Sequence, residues 1–200
     1  MTTMADPRLQ QVEAVVIGAS AGGVQALSAL SAALPADLRV PCFVVIHLPR
    51  ESPSLLPEIF SAHCKRPVGE AQDKEPVQAG TVYIAPPDYH LLLDRGPTLA
   101  LSTDELVHYS RPSIDVLFES AADVYGKGLL GIILTGWNQD GADGLEAVHR
   151  AGGLTIVQNP DTAEAPVMPQ AALARTAVDY ILNLEEIAAL LAALPAGKRT

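Results

Sequence analysis

The stretch Val12-Glu13-Ala14-Val15-Val16-Ile17-Gly18-Ala19-Ser20-Ala21-Gly22-Gly23 constrains this chain more than any other. Residues 12–17 are a near-continuous apolar run rich in β-branched side chains, the composition of a strand covered on both faces. The run ends in small residues and feeds residues 22–34, in which Val24, Leu27, Leu30 and Leu34 share one helical face before Pro35 stops it. A buried strand, a sharp turn and an amphipathic helix in that order begin a parallel α/β sheet, because parallel strands need a crossover to join them.

The rest of the chain repeats the alternation. Residues 39–46 read as a second strand, and Ser52-Pro53 offers an N-cap and an N1 proline for a helix reaching about His63. Residues 80–85, 90–94 and 98–102 read as short strands with no helix between them, which predicts an antiparallel hairpin at one sheet edge. Further helices are predicted over 113–125, 141–151, 169–175 and 184–194, with strands over 129–134, 154–158 and 178–182. Gly152-Gly153 reads as a helix C-cap. The expected fold is α/β, doubly wound and Rossmann-like, with a mainly parallel sheet and an antiparallel β-hairpin at one edge. Residues 1–200 are expected to form one domain, with 1–11 and 195–200 flexible.

Composition narrows the function. A net charge of −10 argues against nucleic acid, since duplex binding depends on cationic contacts to phosphate. No apolar run approaches the ~20 residues needed to span a bilayer, and the N-terminus lacks a signal-peptide core, so a cytoplasmic protein without membrane insertion is expected. Cys42 and Cys64 have neither metal-like nor redox-like spacing. His63, His90, His108 and His149 show no ligand spacing with one another or with cysteine, so no metal and no cofactor is expected.

In open parallel sheets, chemistry gathers beyond the carboxyl ends of the strands. The first strand delivers Ser20 within Gly18-Ala19-Ser20-Ala21-Gly22, where small neighbours let the chain turn sharply and hold the hydroxyl outward. The second delivers His47, and the strand at 129–134 delivers Asp140 just ahead of a helix. A hydroxyl, an imidazole and a carboxylate at three strand tips can form a Ser-His-Asp triad. The amides of Ala21 and Gly22, at the start of the first helix, would face a developing oxyanion. A dinucleotide site fits less well: Ser20 stands where the backbone must approach a pyrophosphate, and His47 where an acidic residue would hold the ribose. Each residue also has a plainer reading. Ser20 and Asp140 could be helix caps, and His47 a hydrogen-bonded loop residue.

Five ordered blocks resemble the catalytic domain of the chemotaxis protein-glutamate methylesterases: VVIGASAGGVQAL, VVIHLP, TVYIAPPDYHLLL, RPSIDVLFESAA and ILTGWNQDGADGLEAV. The resemblance runs from about Val12 to about Leu182. It implies Ser20 as nucleophile, His47 as base and Asp140 as the acidic member, on a parallel sheet with an antiparallel hairpin. The family's aspartate loop usually runs Thr-Gly-Met-Gly before its Asp-Gly, whereas here it is Thr135-Gly136-Trp137-Asn138-Gln139. Trp137 is then a loop anchor or a wall of the cleft, and Arg111 a candidate substrate contact. Family members usually carry an N-terminal receiver domain, and here the catalytic blocks begin almost at Met1. Activity without phosphorylation in cis is therefore expected, with any control left to a separate regulatory protein.

The expected activity is hydrolysis of glutamate methyl esters on the helices of methyl-accepting chemoreceptors, with deamidation of receptor glutamines by the same route. The alternatives are a small-molecule esterase or amidase on this scaffold, or a catalytically inactive signalling or scaffold domain.

Overall fold

Strand β1 (Ala14–Ala19) is buried at every position. Successive side chains leave a strand on opposite faces, so Val15, Ile17 and Ala19 enter one core and Ala14 and Val16 another. This is why the run shows no polar alternation. The computed structural model describes residues 6–47 and 54–195.

After β1 come α1 (Gly23–Ala33), β2 (Cys42–Ile46), α2 (Leu56–Ser61), β3 (Val68–Glu70), β4 (Val82–Ile84), β5 (His90–Asp94), β6 (Thr98–Ser102) and α3 (Ile114–Tyr125). The chain continues through β7 (Leu129–Ile133), α4 (Ala142–Arg150), β8 (Leu154–Gln158), α5 (Val167–Arg175), β9 (Tyr180–Leu182) and α6 (Leu184–Ala192). Among the described residues the main sheet has seven strands in the order β3-β4-β2-β1-β7-β8-β9. Every pairing within it is parallel. The chain builds outward from β1 on one side, then returns to place β7 on the other. The switch point of this doubly wound sheet therefore lies between β1 and β7.

One face is covered by α1, α2 and α6, which bury Leu27, Leu30, Phe60, Ile187 and Leu191 against the sheet. The other is covered by α3, α4 and α5 through Leu117, Phe118, Leu145, Val148 and Met168. Helices α3 and α4 pack directly on one another. A Cβ on Gly144 would sit 2.6 Å from the Phe118 Cβ and 3.0 Å from the Asp115 Cα, so glycine is what lets their N-terminal halves meet.

The structure adds detail to two expectations. The predicted hairpin forms, with β5 and β6 pairing antiparallel as a second, two-stranded sheet apart from the main one. Its buried side chains Leu91, Leu93 and Leu99 pack in the core beneath α3, while the edge of the main sheet is taken by β3 on β4. That edge strand has three residues, none buried, and carries no periodicity to betray it. Residues 6–11 were expected to be flexible, yet Pro7–Gln11 is a 3-10 turn capped by Asp6. Leu9 is buried, Arg8 binds Asp179 at 2.8 Å and the Tyr180 hydroxyl donates to Asp6 at 2.7 Å. Those partners lie about 170 positions away, beyond any local pattern. The expected N-cap at Ser52-Pro53 and the ends 1–5 and 196–200 lie outside the described residues.

Gly144→Ala should force Phe118 or the α3 backbone aside. Overpacking of this kind costs about 1–3 kcal/mol, and calorimetry should show a melting temperature lower by several degrees. The Arg8 guanidinium beside Asp6 holds the Asp6 carboxyl down at about 2. Its folded value lies below the unfolded one, so its stabilisation is present above about pH 4 and is lost as pH falls through about 2. Asp6→Asn should melt below wild type near neutrality, and the two curves should converge on acidification.

Candidate active site

Three strand tips meet at the switch point. Ala19 and Ile46 are register partners in the β1–β2 pair, so Ser20 and His47 follow at the next step on adjacent strands. The His47 amide donates to the Ala19 carbonyl at 3.2 Å and keeps the two tips together. Gly22 caps α1 with φ 76°, a left-handed conformation that glycine adopts without steric penalty. The chain therefore reverses within two residues of Ser20 and starts a helix aimed back at the tips. Among the described residues the amides of Ala21 and Gly22 donate no backbone hydrogen bond, whereas Gly23 N–H closes a turn on the Ser20 carbonyl at 2.8 Å. They remain available to an anionic oxygen.

Thr135, the second residue beyond β7, braces the Ser20 loop. Its carbonyl accepts from Ser20 N–H at 2.9 Å, and its hydroxyl donates to the Ala21 carbonyl at 2.9 Å. The same hydroxyl accepts from Ala165 N–H at 2.8 Å, and Thr135 N–H donates to Gln158 Oε1 at 2.9 Å. The loop is thus tied to the tips of both β7 and β8.

His47 Nε2 lies 2.8 Å from Asp140 Oδ2, with the Asp140 side chain fully buried. Asp140 also accepts from the Ser113 hydroxyl at 2.8 Å, Ile114 N–H at 2.7 Å and Asp115 N–H at 3.1 Å. Burial alone would raise its carboxyl, but the hydrogen bonds from His47 and from the amides of Ile114 and Asp115 outweigh it and hold the group below its usual range. An ionised carboxylate only accepts, so Nε2 is the protonated nitrogen and Nδ1 carries the lone pair. Asn138 Nδ2 approaches that lone pair at 3.4 Å. The nitrogen free to accept a proton is therefore Nδ1. Ser20 Oγ forms no hydrogen bond among the described residues, so the geometry closes only the histidine–carboxylate pair.

The remaining expected site residues divide. Trp137 is 66% exposed, too open for a buried loop anchor. Arg111 bonds Asp88 at 2.8 Å and the carbonyls of Thr103 and Asp104 at 2.7 and 3.0 Å, so most of its donors tether a loop. His90 is a satisfied core histidine: Nδ1 accepts from Ser113 N–H at 3.1 Å, which leaves Nε2–H to donate to the Glu105 carbonyl at 3.0 Å. The sequence reading missed Thr135, Asn138, Ser113 and Asp115. Only Ser113 left a signal, as a serine just ahead of an amphipathic run. Burial and the neighbouring Asp140 charge push the Asp115 carboxyl up to about 7.

Fold and site together define the class, a doubly wound α/β domain with a histidine–carboxylate pair beside a serine at its switch point. A family model described as CheB methylesterase matches residues 15–191. A putative protein-glutamate methylesterase/protein-glutamine glutaminase of Leptospira interrogans is 47% identical over 178 residues, 89% of this chain and 92% of the relative. A protein-glutamate methylesterase/protein-glutamine glutaminase of Trichodesmium erythraeum is 38% identical over 181 residues, 89% of this chain and 51% of that longer relative. The crystal structure of the Thermotoga maritima CheB methylesterase catalytic domain superposes with a TM-score of 0.88 at 32% identity, covering 92% of this chain and 99% of that one. The chain belongs to the CheB methylesterase family.

Ser20→Ala should remove turnover, by on the order of 10⁶ in kcat, with an unchanged melting curve. Asp140→Asn should lower kcat by on the order of 10⁴ by releasing the wrong imidazole tautomer. It should also lower stability, since a carboxylate capping α3 is replaced. Steady-state kinetics and calorimetry on both variants check the two halves separately.

Proposed function

We propose that this enzyme hydrolyses glutamate γ-methyl esters on the helices of methyl-accepting chemoreceptors, with Ser20, His47 and Asp140 as its triad. The 2.8 Å bond between His47 and Asp140, one register step from Ser20 in a chain of this family, carries the reading. Ser20 Oγ attacks the ester carbonyl as His47 Nδ1 takes its proton, and the Ala21 and Gly22 amides receive the oxyanion. Asp140 balances the imidazolium. The carbonyl–methoxy bond breaks, His47 returns the proton, and methanol leaves. Water then attacks the acyl-enzyme with His47 as base again, freeing the glutamate carboxylate and Ser20. A receptor glutamine would release ammonia by the same path, in keeping with the glutaminase in the relatives' names.

The surroundings of the site favour a macromolecular substrate over a small ester. Gln139 and Asn138 reach His108 and Ser110 at 3.3 and 3.4 Å, which sets residues 105–111 beside the aspartate loop. Glu105, Leu106, His108, Tyr109 and Arg111 line an open concavity of about 630 Å³ there. Leu106, Tyr109 and Trp137 are exposed by 41, 94 and 66%, an apolar concentration typical of surfaces that meet another protein. No described helix is long and apolar enough to cross a membrane. We place the enzyme in the cytoplasm with the receptor's signalling helices.

The test is methanol release from a methylated receptor fragment, with Ser20→Ala as the blank. Failure on the fragment with brisk turnover of p-nitrophenyl acetate would favour the small-ester alternative, and failure to label with a fluorophosphonate would favour an inactive domain. Trp137→Ala should raise KM for the fragment about five- to thirtyfold, the loss of about 1–2 kcal/mol common for an aromatic contact. Turnover of the small ester should be unchanged.

A further inference from the structure

A second cluster lies beside the aspartate loop, where Gln139 reaches His108. His108 Nε2 and Asp115 Oδ2 are 3.4 Å apart, and with Asp143 each residue offers one ligand atom, all three within 4.8 Å of one another. We propose that His108, Asp115 and Asp143 form a binding site for a divalent transition cation of the zinc class.

Asp115 is the observation that points to a ligand. It is 4% exposed, and its Oδ1 accepts from the amides of Gly141 and Gly144 at 2.9 and 2.7 Å. Its Oδ2 has no hydrogen-bond partner among the described residues and faces His108. A buried carboxylate oxygen without a donor is rarely left so, unless another positive group meets it. One imidazole nitrogen with two carboxylate oxygens suits zinc or its neighbours better than magnesium or calcium, and the ion would compete with Arg175 Nε, which lies 2.6 Å from Asp143 Oδ1. A cavity of about 310 Å³, lined by His108, Gln139, Ala142, Asp143, Ala171 and Arg175, gives the ion a route from solvent and room for water in its open positions. The Gln139 side-chain amide lies 3.3 Å from His108 Nδ1. Its nitrogen and oxygen are interchangeable by a half turn, and with Oε1 inward it accepts from Nδ1–H and frees Nε2 for the metal.

A bound ion would pin the His108 turn to the N-terminal ends of α3 and α4. The Asp115 amide donates to Asp140, so the cation would lie one residue from the catalytic carboxylate without touching it. The inference does not depend on the substrate proposed above.

The experiment uses untagged protein freed of metal with EDTA and dialysed, titrated with zinc chloride by calorimetry, with melting temperature as a second readout. One zinc should bind per chain and raise the melting temperature. His108→Ala and Asp143→Asn should each weaken binding about tenfold or more, while His63→Ala should bind as wild type. The side chains of His108 and Asp143 are 30 and 51% exposed, so both variants should fold, and equal melting temperatures without metal would verify it. Absence of saturable binding, or equal binding by His108→Ala and Asp143→Asn, would overturn the proposal and leave His108 and Asp115 as an ion pair alone.

Discussion

Two helix N-termini exchange carboxylates, and the rest of the site hangs on that exchange. Asp140 stands just ahead of α4, yet it accepts the Ile114 and Asp115 amides that begin α3. Asp115 belongs to α3, yet its Oδ1 accepts the Gly141 and Gly144 amides at the start of α4. Two buried carboxylates in contact would ordinarily repel. Here each sits in the positive end of the other's helix, where unpaired amides and the helix dipole favour negative charge. The resulting pair is unequal. His47 and the amides keep Asp140 ionised, while burial and that charge drive Asp115 towards neutrality. The carboxylate that faces the imidazole is the one held as an anion, which is the condition for orienting a catalytic histidine.

The sheet supplies the other half of the geometry. Parallel strands in register put Ser20 and His47 on adjacent tips, and β7, on the far side of β1, returns Asp140 to the same crevice. Thr135 then joins β7 to the serine loop through backbone and hydroxyl together. Backbone groups that any such loop must satisfy are satisfied by one another, so the scaffold and the site share the same hydrogen bonds.

Which parts of this were legible in the sequence follows from how far each interaction reaches. Ser20 and His47 stood out because each follows an apolar run and Asp140 because it lies just ahead of a helical segment, and the parallel sheet was visible because its central strands are apolar at consecutive positions. Asp115 was hidden: on an amphipathic helix an aspartate at the first turn looks like any solvated N-terminal acid, and only α4 packing across Gly144 buries it. Thr135 was hidden because its partners Ala21 and Ala165 lie 114 and 30 positions away. The 3-10 turn at Pro7–Gln11 is anchored by residues near the other end of the chain, so no local pattern could announce it. The hairpin was recognised by its spacing, but which surface it would cover depended on α3, which a strand pattern does not encode.

The departure from the resembling family's aspartate loop acquires a physical meaning in this arrangement. Asn138 stands where that loop usually has its second glycine, and it links three parts of the site. Its Oδ1 accepts from the Asp140 amide at 3.3 Å, while its Nδ2 reaches both His47 Nδ1 and Ser110 Oγ at 3.4 Å. A glycine offers none of these groups. The amide meets the Nδ1 lone pair, so the imidazole is contacted on both ring nitrogens, by Asp140 on one and Asn138 on the other. Its bond to Ser110 ties the imidazole to the loop at 105–111. Both of these contacts are long at 3.4 Å, at the weak end of the hydrogen-bond range, so they orient the ring without competing strongly for its lone pair.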